Sequence, residues 1–488
     1  MDVRLLHADR LIGPRALPPN HDSLAFCDGL ILGSGPLAEL REKYPGASVE
    51  RLAGCTLGPA FCDHHLHLDE MLQWAAAVDL GGCVDAAGIR TALDLASKGE
   101  GEEKDWLTAF GLDLNRFEGW GASPMAVLDQ AVAARPVAVF SQDLHSVFIN
   151  QRAAESAGIK NCPDGLLREE KCLPIREALP APEGRDLAEA LARIAGDLHA
   201  LGIVAVDDMG GAAIHLRLHA LDTAESLPLK ITTSLHEADL YDTRLSDFKT
   251  GRRRGRLQDG PLKLFADGSL GSRNAFMLLP YQGSEDRGQL NYTKRHLAGL
   301  IRSARARELS LAVHAIGDAA VREVIGHLGP GDRMEHAQHM HKEDVARLAA
   351  TGAAACVNPS HIELDWRSCE HVLPEGGLGA YPLAWLADAG VPLLFASDAP
   401  VMPPGPLAQV RWAETRQTKN GEPKDGWFAE QRMGRMQALR AIWPRGASLS
   451  SGAPADLLAL SADVSTLPAN ELEEVQVKGL WLEGERQV

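Results

Sequence analysis

Positive charge is scarce in this chain: 49 lysine and arginine residues face 66 aspartate and glutamate residues, a net charge of −17 over 488 residues. Because a surface that binds polyanions needs excess positive charge, we expect neither nucleic acid nor an anionic membrane as a partner. Long apolar runs are also missing. No run approaches the roughly 18 apolar residues of a membrane span, and the opening stretch lacks the apolar core of a signal peptide. We therefore expect a cytoplasmic protein that acts on a small molecule.

Paired cysteines are absent as well. The eight cysteines stand at positions 27, 55, 62, 83, 162, 172, 356 and 369, and no two of them form a C-x2-C pair. This scatter fits neither a disulfide framework nor a zinc–thiolate site, so we expect free, buried thiols. The sequence leaves the oligomeric state open, a homodimer included.

Short apolar runs alternate with helical patterns through the middle of the chain. The runs are "GPAFCDHHLH", "GIVAVDDMG", "LKITTSLHEA", "PLKLFADGSL", "LSLAVHAIGD", "DRMEHAQ", "AAACVNPSH" and "VPLLFASDAP". Strands that alternate with helices indicate parallel βαβ units, and eight such units predict a (β/α)8 TIM barrel. The fold class is therefore α/β.

Both ends of the chain differ from the middle, because they consist of short strand-like segments closed by glycine or proline. We expect residues 1–56 and 445–488 to form one small β-sandwich domain, and residues 57–444 to form the barrel. An interval at about 75–200 interrupts the barrel rhythm and is expected to be an insertion after the first strand.

Every apolar run ends in, or contains, a titratable group. In chain order these groups are His65 and His67, Asp207 and Asp208, His236 and Glu237, Lys263 and Asp267, His314, His336, His361, and Asp398. In a TIM barrel the carboxyl ends of the strands meet at one mouth, where active sites lie. The pattern therefore predicts one polar site at that mouth.

The spacing of His65 and His67 favours a metal site, since residues i and i+2 of a strand point to the same face. Imidazole and carboxylate suit zinc and neighbouring divalent metals. Two other histidine pairs are weaker candidates. His339 and His341 stand where we expect a helix to start, and we interpret His215 and His219 as a surface pair on a helix.

Six segments, in order, carry a resemblance to a known family: "AFCDHHLH", "KLFADGSLGSR", "LAVHAIGDAAV", "RMEHAQ", "NPSH" and "FASDAPV". The chain resembles the amidohydrolase superfamily of metal-dependent hydrolases, and within it the YtcJ-like branch that includes N-substituted formamide deformylases. The resemblance covers nearly the whole chain and implies a barrel with a β-sandwich made from both termini.

The resemblance implies roles for particular residues. The implied metal ligands are His65, His67, Lys263, His314, His336 and Asp398. Asp398 would also be the general acid and base, and Lys263 would be N6-carboxylated to bridge two ions. The alternative is an unmodified Lys263 paired with Asp267, with one ion bound by His65, His67 and Asp398 and help from His314. The candidate substrate contacts are His145, His361, Asp267 and Arg273.

The sequence also departs from the family pattern near the expected mouth. Ala60 replaces a glycine, His64 replaces a small residue, Asn358 stands for a glutamine, and Asp207 replaces a residue that is often histidine. By strand alternation His64 faces away from the ligand pair. These changes leave the metal site in place and put the substrate in doubt.

The implied reaction is hydrolysis of a carbon–nitrogen bond in an amide, N-formyl or other N-acyl compound. A deaminase on the same barrel is an alternative, but "HAIGDAAVRE" places no glutamate within reach after His314. A non-hydrolytic lyase or isomerase with the same metals stays open. A binding protein with an inactive site is disfavoured, because competent residues fill all six ligand positions.

Overall fold

The computed structural model describes residues 2–75, 77–98, 106–114, 116–141, 146–224, 226–373 and 378–488. The strands in chain order are β1 (Arg4–Leu11), β2 (Ser23–Cys27), β3 (Leu30–Gly35), β4 (Ser48–Pro59), β5 (Phe61–Leu66), β6 (Val78–Asp79), β7 (Leu107–Leu112), β8 (Val137–Ser141), β9 (Ser146–Ile149), β10 (Leu166–Arg168), β11 (Ile203–Asp208), β12 (Lys230–Leu235), β13 (Arg253–Arg254), β14 (Leu257–Phe265), β15 (Leu311–Ala315), β16 (Arg333–His336), β17 (His339–Met340), β18 (Ala354–Val357), β19 (Gly379–Ala380), β20 (Leu393–Phe395), β21 (Leu457–Leu460), β22 (Val477–Leu482) and β23 (Glu485–Arg486).

The helices cluster between the strands of the middle region. In chain order they are α1 (Leu37–Lys43), α2 (Leu68–Ala75), α3 (Ala86–Ser97), α4 (Pro124–Ala131), α5 (Gln151–Ser156), α6 (Leu173–Ala178), α7 (Gly184–Ala200), α8 (Ala212–Ala224), α9 (Lys294–Ala306), α10 (Asp318–Ile325), α11 (Lys342–Thr351), α12 (Ile362–Val372), α13 (Leu383–Asp388), α14 (Pro406–Thr415) and α15 (Arg435–Ala441). Within the described part of the chain, no helix combines the length and the apolar character needed to cross a membrane.

Eight parallel strands form the barrel, in the order β5, β11, β12, β14, β15, β16, β18, β20. Each of the eight apolar runs supplies one of them. A parallel bridge between Leu66 and Ala399 joins the last strand to the first, and the backbone amide of Asp398 donates to the carbonyl of His65 at 2.8 Å. The predicted (β/α)8 barrel is confirmed.

A second sheet takes strands from both ends of the chain, in the order β23, β22, β21, β4, β1, β2, β3. Alternate residues of β1 and β2 point to opposite faces of this sheet. Leu6 and Leu24 pack with Trp481 in one apolar cluster, whereas Leu5 and Ala25 belong to another. This period of two is what a sheet covered on both faces requires.

The described chain divides into two compact units, Met1–Leu68 with Ala195–Val488, and Asp69–Ile194. The second unit has its own five-stranded sheet, in the order β10, β9, β8, β7, β6. Its core includes Leu93, Val139 and Phe148. We retain as a proposal the domain limits drawn from the sequence, with the insertion at about 75–200.

The loop after β14 is fixed against the start of α10 by a close backbone approach. The carbonyl of Phe276 accepts hydrogen bonds from the amides of Ala319 and Ala320. A Cβ atom at Gly317 would lie 2.1 Å from that carbonyl oxygen, so only glycine fits here.

We predict that Gly317→Ala lowers the free energy of unfolding by about 1–3 kcal/mol, because the added methyl group must displace backbone. Urea unfolding followed by circular dichroism measures the change. Gly326→Ala is the matched control in the same helix region, since its Cβ would meet Glu323 at an ordinary 3.7 Å. Equal midpoints for the two variants would contradict the close approach.

Candidate metal centre

The register of β5 against β11 changes next to the histidines. Val206 pairs with Asp63 and Asp208 pairs with Leu66, so β5 contains one extra residue in this interval. Such bulges redirect side chains. His64 is directed to Asp207 and to the carbonyl of Trp443, while the neighbouring His65 and His67 are directed to Asp398.

Three side chains meet at the point where β5 and β20 join. The Oδ1 atom of Asp398 lies 3.3 Å from His65 Nε2 and 3.2 Å from His67 Nε2. One ligand atom from each of the three residues falls within 4.8 Å of the others. This separation and this donor set suit a divalent metal ion.

The backbone at Asp398 has φ +60°, a left-handed conformation that few non-glycine residues adopt. Burial would raise the pKa of its carboxyl, but the nearby His65 and the hydrogen bond from His67 outweigh burial and hold the pKa well below its usual range. Asp398 is therefore an ionised carboxylate that faces both histidines.

Lys263 is buried at the carboxyl end of β14. Its Nζ atom lies 3.5 Å from His65 Nε2. Burial lowers the pKa of this amine, although the charges of Glu335 and Asp398 oppose the shift. No ion pair joins Lys263 to Asp267 in the described residues, so the geometry does not supply the pairing on which the unmodified-lysine alternative rests.

His314 and His336 lie beside each other at the ends of β15 and β16, with ring centroids 4.5 Å apart. The Nδ1 atom of His336 lies 2.9 Å from Asn358 Oδ1, which leaves Nε2 as the free ligand atom. Burial, with a contribution from the charge of Lys263, lowers the pKa of His314 to about 3. Burial also holds the pKa of His336 well below its usual range, so both rings are neutral, the form that binds metal.

A carboxylate behind His65 orients its ring. Glu335 is fully buried, and its Oε2 atom lies 2.5 Å from His65 Nδ1. Burial would raise the pKa of Glu335, but the charges of Arg333 and His65 hold it well below its usual range. Sequence reasoning missed Arg333; the signal was the i, i+2 spacing of Arg333 and Glu335 on β16.

The four candidate substrate contacts differ in position. His361, in a 3-10 turn at Pro359–His361, lies 4.0 Å from Asp398 Oδ2. Asp267 accepts hydrogen bonds from the amides of Phe276, Ile316 and Gly317, and burial raises its pKa to about 7 in spite of these bonds. Asp267 Oδ1 also lies 3.6 Å from His314 Nε2, so its described contacts are with three backbone amides and with one ring of the cluster. Arg273 is exposed on the same loop, and His145 lies outside the described residues.

Two expectations about other polar residues were wrong. Asp207 does not lie near the mouth, because it lines a cavity at the amino ends of the strands and pairs with Arg333 at 2.7 Å. His215 is not a surface residue: it is buried, and its Nδ1 atom lies 2.7 Å from Thr233 Oγ1. Helix α8 packs this face against the barrel, which helical periodicity alone did not reveal.

His339 was expected at a helix start, but it belongs to strand β17, and α11 begins only at Lys342. The side chain is fully buried, and neither ring nitrogen has a hydrogen-bond partner among the residues that the structure describes. Burial lowers the pKa of His339 to about 3. It is a buried neutral histidine rather than a ligand of the cluster.

The chain matches known proteins along most of its length. The Amidohydro_3 model of the amidohydrolase family matches residues 49–488. A Bacillus subtilis (strain 168) protein named as amidohydrolase YtcJ is 26% identical over 510 aligned residues, which cover 94% of each chain. The N-substituted formamide deformylase of Arthrobacter pascens is 23% identical and covers 90% of each chain.

A solved structure shares the fold. The crystal structure of an uncharacterized metal-dependent hydrolase from Pyrococcus furiosus matches with a TM-score of 0.81 and 23% identity. The match covers 95% of this chain and 100% of that one.

We predict that His339→Leu makes the protein less sensitive to acid. The pKa of His339 in the folded chain, about 3, lies below the ordinary value of 6.5. Between these two pH values the unfolded chain therefore binds a proton at His339 and the folded chain does not. Stability is then lost as the pH falls from 6.5 towards 3, by about 1.4 kcal/mol per pH unit. The free energy of unfolding of both proteins is measured in urea at about pH 7 and about pH 5. Between these two pH values the wild type should lose about 2 kcal/mol more than the variant. A difference between the two proteins that does not change with pH would contradict the assignment.

Proposed function

The chain belongs to the amidohydrolase family, and from this premise we propose that it hydrolyses a carbon–nitrogen bond in an amide, N-formyl or other N-acyl compound. The observation that carries the proposal is the cluster of His65, His67 and Asp398, whose ligand atoms lie within 4.8 Å of one another beside Lys263. The name of the Arthrobacter deformylase supports this bond class.

The donors present fit a divalent ion such as zinc. His65, His67 and Asp398 would hold one ion, and His314 and His336 would supply ligands to a second. The Nδ1 atom of His65 is engaged by Glu335 and that of His336 by Asn358, so each ring presents Nε2. An outer partner of this kind fixes the orientation of a ligating histidine.

Lys263 would complete a two-ion site after N6-carboxylation. The neutral amine attacks carbon dioxide, a nitrogen–carbon bond forms and one proton leaves. Burial favours the neutral amine. The resulting carbamate would provide two oxygen ligands where the amine provides one nitrogen.

The chain's own residues would carry the proton. A bound divalent ion lowers the pKa of water and polarises a carbonyl oxygen. The carboxylate of Asp398 would accept the proton of the attacking water and return it to the leaving nitrogen, which yields a carboxylic acid and an amine. His361, whose Nε2 atom lies 4.0 Å from Asp398 Oδ2, would contact the substrate beside Asp398. A small-molecule substrate and a cytoplasmic location remain part of this proposal.

The deaminase alternative needs a carboxylate soon after His314, and α10 begins with one. Asp318 is already engaged, however. Its Oδ1 atom accepts from the amide of Leu278 at 2.9 Å, and its Oδ2 atom lies 2.9 Å from His341 Nε2. These contacts point it away from a role at the metal centre and favour the hydrolase.

The first experiment is the metal content per chain, with an intact mass for Lys263. Two ions and an added mass of about 44 Da, together with amine release from a panel of N-formyl and N-acyl amines, would support the proposal in full. One ion without added mass would support the single-ion form. No tightly bound metal after expression in supplemented medium would overturn it.

We predict that Asp398→Asn lowers kcat by about 10²–10⁴-fold, because the amide cannot accept the water proton. Amine release under saturating substrate measures kcat. Asp388→Asn, at the exposed end of α13, is the control and should leave kcat unchanged. A variant of Asp398 with wild-type kcat would remove this residue from the proposed proton transfer.

We predict that Glu335→Gln weakens metal affinity by about 10–100-fold, since His65 loses the carboxylate that orients it. Competition with a chromophoric chelator measures the affinity directly. Glu343→Gln is the matched control, because its side chain is 70% exposed and pairs with the half-buried Arg322. Equal affinity in the two variants would show that Glu335 does not act through His65.

A further inference from the structure

A cavity of about 280 Å³ opens at the amino-terminal end of the barrel, opposite the metal centre. Residues just before or early in several strands line it, among them Ala60, Pro261 and Ser310. Cys62, His64 and Asp207 also line the cavity. Cys62 and His64 are almost completely buried.

The side chains of Cys62 and Asp207 both approach the same ring nitrogen of His64. The Nδ1 atom of His64 lies 3.5 Å from Cys62 Sγ and 3.4 Å from Asp207 Oδ2. The other ring nitrogen, Nε2, lies 3.1 Å from the carbonyl of Trp443. A carbonyl only accepts, so Nε2 donates to Trp443 and Nδ1 is the nitrogen that faces the thiol and the carboxylate.

This arrangement does not suit a cysteine nucleophile. In a nucleophile–histidine–acid triad the nucleophile and the acid contact opposite nitrogens of the ring. Here the sulfur and the carboxylate share one nitrogen, and the other is bound to backbone. His64 therefore cannot accept the proton of Cys62 at one nitrogen while Asp207 orients the ring through the other.

The same distances suit a tetrahedral metal ion. With bonds of about 2.3 Å to sulfur and 2.0–2.2 Å to nitrogen and oxygen, neighbouring ligands are about 3.6 Å (S to N) and about 3.4 Å (N to O) apart. The observed separations are 3.5 and 3.4 Å. The bond from Nε2 to the Trp443 carbonyl is the outer contact that ligating histidines usually make.

We propose that Cys62, His64 and Asp207 form a second metal site, for zinc or a similar divalent ion, at the amino-terminal end of the barrel. Thiolate, imidazole and carboxylate are all zinc ligands. Arg333 holds the Asp207 carboxylate at 2.7 Å, and the cavity provides room for water as the fourth ligand. The site ties β5 to β11.

Thiolate ligation separates this site from the metal centre at the other end, whose proposed ligands include no cysteine. We therefore load the full-length, metal-free protein with Co²⁺ and record the near-ultraviolet thiolate-to-cobalt charge-transfer absorption. The expected result is one such band in the wild type. Cys62→Ser should abolish the band and lower the bound cobalt by one ion per chain.

Cys356→Ser is the matched control, because Cys356 is equally buried and contacts Arg333 from the neighbouring strand β18. It should retain the band. A wild type without the band, a band that survives Cys62→Ser, or a band lost in Cys356→Ser would each overturn the proposal.

A second measurement avoids substitution altogether. X-ray absorption at the zinc edge of the wild type loaded with Zn²⁺ should show a sulfur neighbour at about 2.3 Å, the length of a zinc–thiolate bond. Zinc with only nitrogen and oxygen neighbours in the loaded wild type would contradict the site, even if the serine variant failed to fold.

Discussion

The hydrogen bond from the Asp398 amide to the His65 carbonyl closes the barrel, and the metal centre depends on that closure. In an open sheet β5 and β20 would be the two edges, and their side chains could not meet. Closure brings Asp398 within 3.3 Å of both His65 and His67. The left-handed backbone at Asp398 then directs the carboxylate inward while its amide remains paired. This bond, the bridge between Leu66 and Ala399, and the bond from the His67 amide to the Ala399 carbonyl thus bring three candidate ligand atoms together.

Closure also buries many charges, and their pairing makes that burial tolerable. A buried ion is costly unless it is paired and hydrogen-bonded. Arg333 donates to Glu335 and to the carbonyl of His64, and it also pairs with Asp207. Glu335 in turn engages His65. These side chains therefore form one continuous network, and the orientation of His65 at the mouth depends on contacts well below it.

The sequence predicted the barrel and the residues at its mouth, because both follow from simple periodicities. Apolar runs separated by helices predicted the eight strands, and convergence of strand ends brought His65, Lys263, His314 and Asp398 together. The predictions that were wrong depend on strand register and tertiary packing, which periodicity does not show. The bulge in β5 directs His64 to the amino end of the barrel, where Asp207 lies beside it. His215 is buried because α8 packs on the barrel, a tertiary contact that its helical spacing could not reveal.

The bulge explains how one strand can serve two ends of the barrel. Without the extra residue, strict alternation would give β5 a single inward set of side chains. With it, Cys62 and His64 line the cavity at one end while His65 and His67 face Asp398 at the other. Arg333 stands between the two sets, bound to Asp207 on one side and to Glu335 on the other. A change in charge at Asp207 would therefore alter how Arg333 divides its hydrogen bonds, and through Glu335 the orientation of His65. The amino-terminal end, which in this fold usually contributes stability alone, is here connected by direct contacts to a proposed metal ligand.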